Sequence, residues 1–424
     1  LVVALSGGAD SACLLAVAAE LGGTLRALPL RAVHVDHGLQ AAAVCFREAC
    51  AALCAALNIP LSVVAAEVQT PPGVSIEAAA RDARYAALAR ELKDGECLLT
   101  AHHSEDQAET LLLQALRGAG LKGMSAMPVC RRLGRGWHLR PVLDVPRDEL
   151  LACGVRSSGD CAVDPMNQDL RFDRSYLRRR IWPLIETRWP GSANVLSRTA
   201  RHVAEAQELL DCAAAVHLAR LRDGDALSLP GLRALDPRER INVLRLWLRD
   251  ADVELPSTAR LTEALRQMLD AQPDHLPVIA WGDYAVRRYR QRVFLTPANP
   301  PRLEGLRRWS VAPGSAIDLG PGLGSLRWTA QTGGLEQERL PSAVMVRPRE
   351  GGETLKPAAH ARTQSVQHLC QSQGVLPWLR DALPFIHAGD SLIAIADLWL
   401  DARWCAPIGH AGVAVLWDQA PIIV

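Results

Sequence analysis

From its first residues to about residue 117, the chain alternates short apolar runs with helical stretches. Strands are expected at 2–5, 31–36, 61–66 and 97–101, and helices at 12–21, 41–58, 75–93 and 104–117. The strand segments are apolar along their length rather than every second residue, so both of their faces are covered. This rhythm predicts a parallel, doubly wound, Rossmann-like α/β sheet. Ligands of such sheets sit beyond the carboxyl ends of the strands. The residues that follow each strand are therefore the first place to look for chemistry.

After about 150 the rhythm changes. Helices are expected over 176–222, broken near Trp189-Pro190-Gly191, and over 236–270, opened by Asp236-Pro237 and interrupted at Pro256. Residues 278–296 read as two strands with a turn at Gly282-Asp283, and 297–325 as a Pro- and Gly-rich linker with short strands. The predicted fold is this α/β sheet, then a mainly helical middle domain, then a small α+β C-terminal domain. The expected boundaries are 1–185 for the catalytic domain, 186–300 for the middle domain, 301–343 for a linker and 344–424 for the last domain. A length of 424 residues exceeds what one core usually holds.

Composition narrows the class. With 49% hydrophobic residues, the chain is not a disordered one. No apolar run is long enough for a membrane span. Leu1–Leu5 leads straight into a glycine loop, so no signal peptide is expected, and the missing Met suggests a start inside the native protein. The eleven cysteines contain no C-x-x-C pair and read as reduced thiols, which points to the cytoplasm. A net charge of +1 gives no global bias toward polyanions.

The strand 2–5 is followed by Ser6-Gly7-Gly8-Ala9-Asp10-Ser11 and then by a helix. Such a turn aims free backbone N–H groups at whatever lies over the helix start. Gly7 and Gly8 let the backbone approach a phosphate, and Ser6 and Ser11 offer hydroxyls. Asp10 would repel a phosphate directly, so its expected task is to hold Mg²⁺ against one. The loop lacks the lysine of a P-loop and the spacing of a dinucleotide fingerprint.

Three further segments follow the same logic. His34-Val35-Asp36-His37-Gly38-Leu39 ends the second strand, where its backbone could read adenine; a plain strand-ending turn is the alternative. In Ser75–Tyr85, Arg81 and Arg84 share a helix face with Glu77, either as a solvated ion-pair face or with Arg84 over nucleotide phosphates. Thr100-Ala101-His102-His103-Ser104-Glu105-Asp106-Gln107-Ala108-Glu109-Thr110 leaves a strand and enters a helix. Asp106 and Glu109, three apart, could orient Mg²⁺ or bind an incoming ammonium and take its proton, and His102 or His103 could steady an intermediate. Downstream come Asp164-Pro165-Met166-Asn167-Gln168-Asp169 and an arginine run. From 169 to 201 the chain is locally +5, enough to neutralise several phosphates if it is not merely a solvated face.

The glycine loop resembles that of the N-type ATP pyrophosphatases. Together with HVDHGL, EAAARDARY, TAHHSEDQAETLLL, the Arg117–Met124 loop and the DPMNQD–Arg run through Trp189-Pro190, the first 190 residues resemble the tRNA(Ile)-lysidine synthetase family. The likeness is weaker over 200–296, where Val286-Arg287-Arg288-Tyr289 fits, and returns over 344–400 with Val346–Arg349 and Gly374–Asp381. Ser175 stands where the family usually has Asn, and the helix before Pro377 lacks lysine.

The resemblance implies a ligase that adenylates the wobble cytidine of the CAU-anticodon isoleucine tRNA with ATP and Mg²⁺. Free lysine then displaces AMP to give lysidine. It implies ATP contacts at Ser6–Ser11, His34 and His37, and lysine contacts at Asp106, Glu109 and His102. It implies tRNA contacts at Arg174, Arg178 and Arg179, and catalysis through Asp10, Arg84, Asp106 and Glu109. No membrane or protein partner is implied, and a homodimer is allowed. A sulfur-transferring relative would need paired cysteines; Cys45, Cys50 and Cys54 lie on one Ala-rich helix and read as structural. A tRNA-binding module with a dead nucleotide site would not need the intact loop and acids.

Overall fold

The computed structural model describes residues 1–25, 28–36, 43–70, 75–152, 169–272, 275–407 and 409–421. The chain divides into two units, Leu1–Cys212 and Ala213–Val424.

The first unit is built on β1 (Val2–Leu5), β2 (Arg31–Asp36), β3 (Leu61–Ala65) and β4 (Cys97–Leu99), joined by α1 (Ala9–Leu25), α2 (Ala43–Ala56) and α3 (Ile76–Glu91). α4 (Ser104–Leu116) and the short α5 (Leu121–Met124) follow, then a hairpin of β5 (Cys130–Leu133) and β6 (Gly136–Leu139). The sheet order is β3-β2-β1-β4-β6-β5, parallel except for β5. Neighbouring residues of β1 feed opposite faces. Val2 packs with Val33, Leu88 and Leu98, and Val3 with Leu14, Leu15, Cys50 and Cys54. That explains the uninterrupted apolar strands, and it is the doubly wound arrangement expected from the sequence.

β1 and β4 are hydrogen-bonded neighbours, with Val2 beside Leu98 and Val3 beside Leu99. The chain leaves β1 toward β2 and β3, then returns to the other side of β1 as β4. The switch of direction opens a crevice beyond the ends of these two strands.

The hairpin β5–β6 was not anticipated. Its outer strand is Cys-Arg-Arg-Leu, too polar to read as sheet, and it turns at Gly134, whose φ is +54°. The rest of the unit is helical: α6 (Arg147–Leu151), α7 (Asp173–Tyr176), a π-helical turn (Leu177–Ile181) and α8 (Trp182–Arg188). The long α9 (Ser192–Leu221) contributes residues to both units.

In the second unit, β7 (Arg222–Asp223), β8 (Ala226–Ser228), β9 (Val278–Trp281), β10 (Tyr284–Tyr289) and β11 (Arg292–Pro297) form an antiparallel sheet ordered β7-β8-β11-β10-β9. The short α10 (Leu229–Ala234), then α11 (Pro237–Asp250) and α12 (Thr258–Asp270), cover it. They bury Leu232, Val243, Leu244, Trp247, Leu248, Leu261, Leu265 and Met268 on Val286 and Val293. Asp236 and Glu239 close a reciprocal capping box at the start of α11. Residues 278–296 are thus three strands where two were expected. The second turn uses Arg290 at φ +54°, with no glycine to announce it.

The segment 301–343 was expected as a linker with short strands. It supplies β12 (Arg307–Ser310), β13 (Ala316–Asp318) and β14 (Ser325–Thr332) to the C-terminal body. β12 pairs with β15 (Ala343–Arg347), and β14 pairs over its length with β16 (Ala411–Asp418). Leu303, Trp309, Leu319, Leu326 and Trp328 share one core with Phe385, Ile393 and Val415. Trp309 and Trp328 stack with ring centres 4.4 Å apart. Pro and Gly mark its turns, but the tryptophans and leucines between them make it part of the fold.

Candidate functional site

The glycine loop folds on itself. Ser6 N donates to Ser11 Oγ at 3.2 Å, Gly8 N to Ser6 Oγ at 3.3 Å, and Ser11 Oγ to Gly8 O at 3.0 Å. Gly7 has φ +85°, and a Cβ there would lie 2.7 Å from Cδ1 of Phe46, so both backbone and space demand glycine. A shallow recess under the loop is lined by Leu5, Gly7, Gly8, Ser11, Ala49 and Cys50.

Asp10, in the first turn of α1, is held by Arg147, with Nε 2.9 Å from Oδ1. Arg147 N in turn donates to Glu105 at 3.0 Å. Glu105 meets His103 Nδ1 at 2.8 Å, and His103 Nε2 lies 3.4 Å from Asp106. This chain of contacts ties the end of β1 to the end of β4. Arg147 and Glu105 were missed in the sequence because nothing local distinguishes an arginine 137 residues from its partner.

Asp106 and Glu109 face the same way, as their spacing on α4 requires. Both are engaged by the same two arginines. Arg174 reaches Asp106 at 3.0 Å and Glu109 at 2.9 Å; Arg178 reaches them at 3.0 and 2.6 Å. The Glu109 side chain is 3% exposed. Burial alone would raise the Asp106 carboxyl, but the charges of Arg174, His103 and Arg178 hold it below the ordinary value. His103 is pushed the other way: burial opposes its charge, and Glu105, Asp106 and Asp10 overcome burial and raise it. Of the three arginines expected to bind tRNA, Arg174 and Arg178 are therefore placed on the acid pair. Arg179 is exposed with no ion pair among the described residues.

The His34 side chain is turned into the core, which leaves its backbone for the expected ATP contact. It is 4% exposed, and its Nδ1 lies 2.9 Å from Leu5 O and 3.5 Å from Cys50 Sγ, stitching β2 to β1 and α2. His37, Gly38, Leu39 and residues 164–168 lie outside the described residues, as does the side chain of Glu77. Arg84 lies over the Tyr85 ring at 5.4 Å, with Arg81 at 5.6 Å and Arg131 at 5.0 Å. The Tyr85 phenol is pushed down by Arg84, Arg81 and Arg140 against its burial. Such an accumulation of guanidinium groups suits an anion. Cys50 and Cys54 are 2% exposed and belong to the core under α2.

No group of three His, Cys, Asp or Glu side chains suited to a metal occurs among the described residues. Mg²⁺ rarely needs one, since it keeps waters and bridges one or two carboxylates to substrate phosphates. Asp10, a single carboxylate beside the loop, would serve that mode once Arg147 yields it.

Three segments of the chain match known protein families. Residues 1–185 match the PP-loop domain family, residues 227–294 the TilS substrate binding domain and residues 344–417 the TilS substrate C-terminal domain. The tRNA(Ile)-lysidine synthase of Alkalilimnicola ehrlichii is 39% identical over 96% of this chain and 92% of its own length. The chain belongs to the tRNA(Ile)-lysidine synthase family. The enzyme of that name from Pseudomonas aeruginosa is 41% identical over 93% of this chain and 89% of its own. A solved structure of the U34-tRNA thiolase NcsA from Methanococcus maripaludis aligns over 48% of this chain and 72% of its own, with 18% identity and a TM-score of 0.35.

Proposed function

We propose that the chain ligates lysine to carbon 2 of the wobble cytidine in the CAU-anticodon isoleucine tRNA, through an adenylated cytidine, releasing pyrophosphate and AMP. One observation carries this reading. An amide-rich loop and a buried carboxylate pair stand at the ends of neighbouring strands, joined through Arg147, Glu105 and His103.

ATP would lie with its phosphates on the N–H groups of Ser6–Ser11. Asp10 would hold Mg²⁺, which would supply positive charge beside the pyrophosphate. The carbonyl oxygen on carbon 2 of the cytidine attacks the α-phosphorus, and pyrophosphate leaves toward Arg84. The ε-amine of free lysine, received by Asp106 and Glu109, then displaces AMP from carbon 2. An ammonium carries no lone pair, so a carboxylate or solvent must first take a proton from it. Arg174 and Arg178 must share or give up the acids for that ammonium to enter. Arg179 would meet tRNA phosphate, and the setting is the cytoplasm. Among the described residues no helix is long and apolar enough to cross a membrane.

Incubation with ATP, labelled lysine and an isoleucine tRNA transcript bearing CAU tests the reading. Label in the tRNA, with pyrophosphate release that requires the transcript, is the expected result. Pyrophosphate without label, or label in a transcript with a different wobble base, would overturn it.

A further inference from the structure

A line of polar side chains runs from the hairpin into the crevice and has no part in the steps above. Arg140 is 2% exposed and His138 is fully buried. Arg140 Nη2 lies 3.3 Å from His138 Nδ1, and Arg131 Nε lies 3.4 Å from the same nitrogen. A guanidinium has donors only, so His138 Nδ1 accepts and carries no proton. The proton of the neutral ring is then on Nε2, which donates to Thr100 Oγ1 at 2.8 Å. The buried Thr100 hydroxyl has one proton to give, and among the described residues the acceptor in reach of it is His102 Nδ1, 2.8 Å away. His102 Nδ1 therefore accepts in its turn, and its own proton sits on Nε2. No described residue accepts a hydrogen bond from that Nε2–H.

We propose that Arg140, His138 and Thr100 are positioning residues that fix His102 as a neutral Nε2–H donor for a phosphate oxygen of the reacting nucleotide. With one ring nitrogen engaged and the other protonated, His102 has no lone pair to offer. It cannot be the base that takes the proton of the amine, which leaves that task to the carboxylates or solvent. The inference rests on the adenylation reading above.

The surroundings agree. Burial holds the His102 ring down at about 3, with Asp106 opposing and Arg140, Arg84 and Arg174 adding to the effect. His138 is held at about 3 by burial and by Arg140, Arg131, Arg84 and Arg81. The charged or titratable groups facing His102 are Asp106 from α4, Arg174 from α7, Arg84 from α3, and Arg140 and His138 from the end of β6. Of these only Asp106 would favour a charged ring. A neutral donor is retained through neutral pH, where an ordinary histidine would be changing its charge.

The test uses the full chain with ¹⁵N-labelled histidine, the His102 signals being assigned by their loss in His102→Gln. Between about pH 6 and about pH 8 the ring should stay neutral, with Nε2 protonated and Nδ1 bare. A ring protonated on Nδ1, or charged in that range, overturns the proposal.

Kinetics supply a second readout. Thr100→Val should slow tRNA-dependent pyrophosphate release by about 10- to 100-fold, the cost of a misplaced group. It should also free His102 Nδ1 from accepting, so that the labelled ring shows a mixture of the two neutral tautomers. Thr100→Ser should restore both the rate and the single tautomer. A Thr100→Val variant with wild-type rate and an unchanged tautomer would show that the relay has no role. Should the wild-type chain release no pyrophosphate with tRNA, the adenylation reading fails, while the labelled ring still decides the relay.

Discussion

Asp106 carries two separable consequences. Asp106→Ala should lower lysine incorporation by about 10²–10⁴, the scale of a lost acid–base group, and lower pyrophosphate release less. Single-turnover assays of the two products decide this, and equal losses would take the amine away from Asp106. Because its folded-state pKa lies below the ordinary 3.8, Asp106 adds stability above that value and loses it as pH falls through the depressed one. Acid unfolding of Asp106→Asn should therefore begin from a lower stability and fall less steeply below pH of about 4. The acids themselves were legible in the sequence, since three-residue spacing on a helix leaves them one face. Their partners were not. Arg178 lies 72 residues from Asp106, and a run of arginines reads more readily as a surface for phosphate.

At the scale of elements, the glycine loop and the connection that ends α3 invite tests. Gly7→Ala would place a methyl against Phe46 at a φ of +85°. It should cost about 1–3 kcal/mol of stability and abolish nucleotide binding; calorimetry with ATP reads both, and adding Phe46→Ala relieves the clash but not the backbone strain. On the far side of the sheet, Arg31 of β2 grips Glu96 with two nitrogens, at 2.8 and 2.6 Å, and Glu91 at 3.0 Å. The Arg31 hydrogen bond holds the Glu96 carboxyl at about 2. Glu96→Gln should cost about 1 kcal/mol at neutral pH after solvent screening. The difference from wild type should vanish as pH drops from the ordinary 4.5 through about 2. The parallel strands were readable because burial on both faces leaves a continuous apolar signature. β5 was hidden by its arginines, and the β10–β11 turn by a non-glycine residue at positive φ.

For the whole chain, the question is which basic groups are available to a long polyanion. Arg179 is exposed and has no ion pair among the described residues, whereas Arg174 and Arg178 are neutralised locally. Arg179→Ala should weaken tRNA binding and reduce the salt slope by about 1, measured as log affinity against log salt; an unchanged slope would return Arg179 to a solvated surface. In the second unit, Trp378 stands edge-on to Phe294 at 5.2 Å and Tyr289 at 6.4 Å, with Arg287 over it at 5.7 Å. Two sequence segments that suggested the family, far apart in the chain, thus meet on one ring. No local pattern could have announced that meeting, because it depends on how the turn Pro377–Ala382 packs against the strands β10 and β11.

Asp106 and Glu109 against Arg174 and Arg178 make an electroneutral quartet. Removing any one member leaves an odd charge in a largely enclosed place, and the defect of that variant mixes lost chemistry with imbalance. Matched neutral replacements of one acid and one guanidinium together keep the sum at zero. They are the substitutions from which the reactive contribution of each carboxylate can be separated.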